Sequence, residues 1–368
     1  MILFLYVFTL ISCVSENEYD KEINVDIKNI DNYDTIVSIE YDIIGVPTIL
    51  RYDGNSNLFI YDVAQNKIMH LNDNGSVLNE IGRPGSGPGE FWWVNNIIIT
   101  NKSLFVIDKG QFLIHKYNYN GEFLSSLDFG ELGFHYRLPP MSTAIIQSPD
   151  VVFEPFILSD DTLLFSSIHI EKEVDKIYEI RDWGGTQLAE VGEILEGSTF
   201  TMNPVNHRTA ISNREIPPVD KSNAFPVADR ANPDEIFLIY NAIPMIAKYN
   251  TDGKKLWSVE IPDLPEIDSV AVSYFETMEK LTPQSRILFQ KYISGVSNND
   301  GELFLGTNSN PTGFNSFWIH HFNQNGDLIQ RYKIISDVNI LPIFDIDFKN
   351  KRIFVVTEVG EVRAYEFK

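Results

Sequence analysis

The sequence predicts an all-β fold, a six-bladed β-propeller of four-stranded antiparallel blades. Three observations predict it. A short apolar core recurs six times, a tight polar turn follows most copies, and each end of the chain carries part of one blade. The cores are LFIYD at 58–62, LFVID at 104–108, LLFSS at 163–167, IFLIY at 236–240, LFLG at 303–306 and IFVVT at 353–357. Their anchors, Phe59, Phe105, Leu164, Phe237, Phe304 and Phe354, lie 46 to 73 residues apart. A repeat of about that period is one supersecondary unit that buries its faces only by stacking on its neighbours.

The blades follow in order. Blade one has its core at 58–62, the turn Asn72-Asp73-Asn74-Gly75 and a fourth strand over 76–81. Blade two begins near residue 94, turns at Tyr119-Asn120-Gly121 and ends with 122–127. Blade three is degraded, with Asp182-Trp183-Gly184-Gly185 at the corresponding turn. Blade four turns at Thr251-Asp252-Gly253 and blade five at Gln324-Asn325-Gly326. Asn-Gly and Asp-Gly between apolar runs are strong hairpin signals, because both turn residues must take positive φ. Blade six stops after its third strand, 361–367. An unpaired strand edge is an aggregation hazard. The segment TIVSIEY at 35–41 alternates apolar and polar and belongs to no other blade. It is therefore expected to be the missing strand that closes the ring.

The connections divide by length. Turns joining strands one to two and three to four are short, as at 53–54, 73–75, 160–161 and 252–253. The crossovers are long, at 81–93, 129–150, 191–223 and 261–291, and the blade-five loop 306–316 joins them on the same face. Long loops on a rigid scaffold are where binding concentrates. The crossover between blades four and five predicts a helical insertion. Val270, Tyr274, Met278 and Leu281 recur at helical spacing over 269–280, and Thr282-Pro283 reads as the cap and first position of a second helix over 284–293.

Composition sets the chemical class. Net charge is −22 over 368 residues, which argues against nucleic acid or anionic lipid as the main partner. The one cysteine, Cys13, excludes an intramolecular disulfide. It closes an apolar run, 1–11, too short to span a bilayer and suited to a signal-peptide core. Leu10-Ile11-Ser12-Cys13 resembles the bacterial lipobox, whose cysteine is lipidated. The expected organisation is a signal peptide with lipobox at 1–13, a polar tether at 14–33 and the propeller at 34–368. That reading gives a monomer held in the cell envelope by its lipid alone, in the periplasm or at the outer-membrane surface.

Residues 81–127 resemble an NHL repeat in Gly82, Gly85, Gly87-Pro88-Gly89, Phe91, the strand Phe105 to Asp108, and Tyr119-Asn120-Gly121. The whole chain is similar to bacterial envelope lipoproteins of unknown function that carry six-bladed propellers. The resemblance implies a fold and a location and transfers no catalytic residue.

Candidate chemistry follows from residue types. Gly82 to Gly89 lacks the Gly-Lys-Ser/Thr ending of a phosphate loop and leads into a strand, so nucleotide binding is rejected. Calcium-dependent hydrolases and lyases of this architecture gather oxygen ligands from inner strands. The candidates here are Asn95, Asn96, Glu154, Asp229 and Asp345, with no shared register. His320 and His321 are adjacent, so on a strand they face opposite sides and cannot share a metal. His115, His135, His169 and His207 show no ligand spacing. No metal and no cofactor is assigned. Aromatic and Arg side chains in the crossovers are the stronger lead: Arg83, Trp92, Trp93 and Arg137, with Phe134, His135 and Tyr136 beside them. Trp, Tyr and Arg anchor interfaces, and aromatic faces also suit sugars. The sequence therefore favours a non-catalytic recognition module for a protein, peptide or glycan. The alternative is a metal-dependent hydrolase or lyase with its site at the channel mouth.

Overall fold

The computed structural model describes residues 25–38, 44–132, 155–167, 174–199, 203–281, 289–307 and 316–367. Six antiparallel sheets follow one another along the chain. The first strands in sequence are β1 (Ile27–Ile30) and β2 (Tyr33–Val37). Blade one is β3 (Pro47–Tyr52), β4 (Asn57–Asp62), β5 (Lys67–Asn72) and β6 (Val77–Ile81). Blade two is β7 (Val94–Ile99), β8 (Leu104–Asp108), β9 (Leu113–Tyr117) and β10 (Phe123–Asp128). Blade three is β11 (Phe156–Ile157), β12 (Thr162–Ser166), β13 (Lys176–Asp182) and β14 (Gln187–Glu193). Blade four is β15 (Ala224–Ala228), β16 (Glu235–Tyr240), β17 (Met245–Asn250) and β18 (Lys255–Glu260). Blade five is β19 (Ser294–Ser297), β20 (Leu303–Thr307), β21 (Ser316–Phe322) and β22 (Leu328–Ile335). Blade six is β23 (Ile340–Asp347), β24 (Arg352–Thr357) and β25 (Val362–Glu366), completed by β2.

The closing strand is N-terminal and overlaps the alternating segment at 35–37, while 39–41 lie outside the described residues. β2 runs antiparallel to β25, with Tyr33 opposite Tyr365 and Thr35 opposite Arg363. Arg363 is the clasp. Its guanidinium lies 4.0 Å from the centre of the Tyr33 ring and pairs with Asp337 and Glu361. Gly75, at φ +88° in the third turn of blade one, lets that turn approach β2. A Cβ at Gly75 would stand 2.1 Å from the Ile36 carbonyl oxygen, which no side chain tolerates.

The ring holds together by stacked apolar faces. Each of six buried clusters draws its members from two neighbouring blades, so burial runs from blade to blade right around the ring. The anchors Phe59, Phe105, Phe237 and Phe354 are fully buried. Burying each such ring is worth roughly 1.5–3 kcal/mol. Across the strand pair, four anchors also meet a basic or imidazole side chain. His70 and His321 stack on Phe59 and Phe304, while the ammonium groups of Lys116 and Lys248 lie over Phe105 and Phe237.

Two features depart from the sequence reading. Residues 27–30, inside the segment read as tether, form β1, a fifth strand parallel to β22 on blade five. Arg331 fixes it by donating to the Val25 carbonyl from both Nε and Nη2. The crossover between blades four and five carries the helix α2 (Pro265–Lys280), which buries Tyr274, Phe275 and Met278. The second helix expected over 284–293 does not continue through 289–293, which are not helical; 284–288 lie outside the described residues. Fully buried Phe289 and Tyr292 explain the difference. They pack onto α2 and His320 respectively, and this holds 289–292 as irregular chain with a bend at Lys291 rather than as a helix turn. A helix that the sequence reading missed, α1 (Pro204–Ser212), lies in the crossover between blades three and four and packs on α2.

Candidate functional site

The crossover face is organised by buried carboxylates. Asp108 ends β8 and is fully buried, and its two oxygens accept the amides of Trp92 (2.8 Å), Trp93 (3.1 Å), Gly110 (2.8 Å) and Gln111 (3.2 Å). Gln111 Nε2 adds a fifth donor at 2.7 Å. Burial pushes this carboxyl up, but the nearby His115 imidazole and the donors from Gln111, Trp92 and Trp93 outweigh it and hold the group below its ordinary range. Asp62 makes the same clamp in blade one, accepting from Gly45, Val46 and Ala64. Each clamp ties the turn between strands two and three to the chain entering the inner strand. A single short side chain thus sets the crossover's geometry.

The clamp holds the Trp92 and Trp93 backbones while both indoles stand out, 60% and 57% exposed. Gly110 makes this possible, since a Cβ there would lie 2.9 Å from Trp92 Cβ and 3.3 Å from Trp93 Cβ. Arg83 is in the same crossover with a well-exposed side chain, its Nε 2.6 Å from Glu90 Oε1. Glu90 also accepts the Gly87 amide at 2.8 Å. Gly87 and then Arg83 hold its carboxyl below the usual value. Arg83 therefore presents an ion pair rather than a lone cation. Arg137, Phe134, His135 and Tyr136 lie outside the described residues, as does Cys13.

Sequence reasoning overlooked further apolar members of this face. Val63, Phe112 and Val359, in the second turns of blades one, two and six, are 37%, 38% and 41% exposed, and Val46 beside Val63 is 44% exposed. The signal was readable. Val63 and Val359 sit in short turns with much of their surface in water, and Phe112, although its ring meets Phe129 edge-on, is still more than a third exposed. With Trp92 and Trp93 they spread large apolar surface over one face of three consecutive blades.

The opposite end of the channel is a polar belt. Asp345 on β23 accepts from Tyr52 N at 2.9 Å and from the Ile346 amide, and Arg230 reaches it from blade four at 3.4 Å. Arg51 on β3 donates to the Ile97 carbonyl and to Asn96 Oδ1, both at 2.8 Å. Lys248 lies 2.7 Å from Asp229. So the inner-strand oxygens singled out in the sequence do not converge. Asn96, Asp229 and Asp345 each serve a different cation of the protein itself, and Glu154 lies outside the described residues. Among the described residues no three His, Cys, Asp or Glu side chains group as a metal would need. The adjacent histidines face apart as expected. His320 is fully buried between Tyr292 and Glu266, and His321 stacks on Phe304 and meets Glu302. Burial holds both imidazoles below their ordinary pKa against the carboxylates beside them.

The chain is a six-bladed β-propeller. Residues 40–136 match the model of a family described in those words, DUF5128. Among solved structures, a protein assigned as exported in Bacteroides fragilis NCTC 9343 shares the fold at 14% identity and TM-score 0.50, over 93% of this chain and 99% of that one. A member of the DUF4221 family from Bacteroides vulgatus ATCC 8482 is 10% identical with TM-score 0.44, over 93% and 95% of the two chains. A gluconolactonase from Xanthomonas campestris is 9% identical with TM-score 0.44, over 94% and 98%. No curated protein matches the sequence. Likeness at these identities concerns the fold alone.

Proposed function

We propose that this propeller is an envelope recognition module that binds a partner protein on its crossover face, with Trp92 and Trp93 as anchors. One observation carries the reading. Two adjacent indoles stand more than half exposed on a backbone that a buried carboxylate fixes. Exposing indole to water is unfavourable, and a rigid mount removes the ordering cost that a flexible loop brings to an interface. The exposed Val46, Val63, Phe112 and Val359 widen the surface toward a protein footprint, and this favours a protein over a glycan. Arg83, paired with Glu90, is the polar contributor at the rim, and Arg137, which lies outside the described residues, is joined to it on its sequence position alone.

Location is part of the proposal. The lipobox-like stretch ending at Cys13 supports export and lipidation, and the likeness to an exported propeller agrees with it. Calcium-dependent catalysis at the channel mouth draws no support from Asn96, Asp229 and Asp345, each of which serves its own partner.

The test is Trp92→Ala with Trp93→Ala in the full chain. The pair should reduce partner capture by more than about tenfold, as expected for two interface anchors, while the thermal midpoint stays unchanged. Unchanged capture would refute the anchor role. A large fall in the midpoint would show that the indoles pack within the fold. Cys13→Ala should release the protein from the membrane fraction, and retention of the variant there would refute lipidation.

A further inference from the structure

The channel mouth on the short-turn side carries a charge pattern opposite to that of the protein. The chain has a net charge of −22, yet among the described residues two guanidiniums, Arg51 and Arg230, line this recess against one carboxylate, that of Asp345. All six inner strands reach its wall or rim, and the enclosed space, open end included, is about 610 Å³. Ile98, Ile99 and Phe156 make one side apolar.

The three charged groups are not equally committed. Asp345 is 1% exposed and accepts the Tyr52 and Ile346 amides, so backbone donors solvate it from within the ring. Arg51 is held by the Ile97 carbonyl and Asn96. Arg230 makes only a long contact, 3.4 Å to Asp345, and its side chain is 34% exposed. Its backbone is fixed, however, since its amide donates to Ser297 Oγ at 2.8 Å. Arg230 is thus a guanidinium on a rigid mount, loosely paired, over a recess whose described lining carries one surplus positive charge and an apolar wall. A planar guanidinium matches a carboxylate in two parallel hydrogen bonds, and apolar walls take up the rest of such a molecule.

We propose that this mouth binds a small carboxylate with an apolar body, Arg230 supplying the recognition and Arg51 the supporting charge. The carboxylate could belong to a free acid or to the C-terminus of a peptide, and the two are separable by probe. This site lies across the channel from Trp92 and Trp93 and does not depend on the partner-binding reading.

The experiment is calorimetric titration of the intact protein with benzoate and with N-acetylphenylalanine, each against its neutral amide. At least one acid should bind about tenfold or more tightly than its amide, since the amide loses the charge-assisted bond. Preference for benzoate assigns a free acid, and preference for N-acetylphenylalanine assigns a chain end. Arg230→Gln should weaken the bound acid by about tenfold or more. Arg230→Lys should weaken it less while keeping the parent's thermal midpoint, which separates loss of recognition from loss of fold. Trp92→Ala should change nothing here. Four results would each overturn the proposal: neither acid binds, acid and amide bind alike, Arg230→Gln binds as the parent does, or Arg230→Lys binds fully, which would deny the two-bond fit.

Discussion

Asp108→Asn is the sharpest probe of how the crossover face is built. The carboxylate accepts five N–H donors, three at Oδ1 and two at Oδ2. Asparagine keeps the shape but replaces one oxygen by an NH₂ group. Whichever way the amide turns, at least two donors then face another donor in a fully buried site. A buried donor left unmade costs about 1–3 kcal/mol. Gln111 can swing its side chain away to its other acceptors, so one donor stays unmade and the net loss should be about 1–3 kcal/mol. Denaturant unfolding at pH 7 reads the loss directly. Hydrogen exchange should also quicken at the Trp92 and Trp93 amides more than at the matching blade-one amides, which Asp62 holds. The pH dependence has a definite sign. The folded carboxyl lies below its unfolded value, so its stabilisation is fully present above about pH 4 and fades as pH falls through the folded value. The gap between parent and variant should therefore narrow in acid. A variant within about 0.5 kcal/mol of the parent at pH 7, the usual scatter of a neutral surface change, or with unchanged exchange at 92–93, would refute the clamp.

Two further perturbations follow from the ring. Gly75→Ala combines a positive φ with a contact of 2.1 Å to the Ile36 carbonyl oxygen, so it should loosen the closing strand and expose residues 33–37 to protease; an uncut, fully stable variant would contradict the closure geometry. His70 is 8% exposed, stacks on Phe59, and neither ring nitrogen has a hydrogen-bond partner. Burial lowers its pKa, with Asp53 opposing, so the unfolded chain binds the proton first and stability falls as pH drops below about 6.5. His70→Phe should thus stabilise more at pH 5 than at pH 7.5, and an equal effect at both would contradict this.

The fold was legible because the signals are local. Phe59, Phe105, Phe237, Phe304 and Phe354 repeat with their hairpin turns, and the alternation at 35–41 has no other use than the missing strand. The helices were less legible. α1 has Pro204 and His207 with little apolar periodicity, and it is fixed by Asn203 capping Val205 and Asn206 and by packing on α2. β1 was hidden because Ile27-Lys28-Asn29-Ile30 is short and polar, and its partner strand β22, with Arg331 fixing the chain before it, lies far along the chain. The exposed indoles were legible as crossover aromatics. The polar belt was not, because Arg51, Asn96, Arg230 and Asp345 lie on four different blades, and their pairing depends on the ring closing. Counting oxygens alone suggested a cation site, and the protein's own cations that pair with them, Arg51, Lys248 and Arg230, became apparent only in three dimensions.

The central claim is that the crossover face binds a partner through Trp92 and Trp93. It is tested most directly by placing a photo-crosslinking amino acid at 92 or 93 of the full chain in its native host, with Leu188 on the outer edge as the control position, an exposed residue on another blade. The account predicts one discrete protein adduct from 92 and 93, none from 188, and loss of the adduct with Asp108→Asn. Adducts at 188 equal to those at 92 and 93, or none at any position, would contradict it.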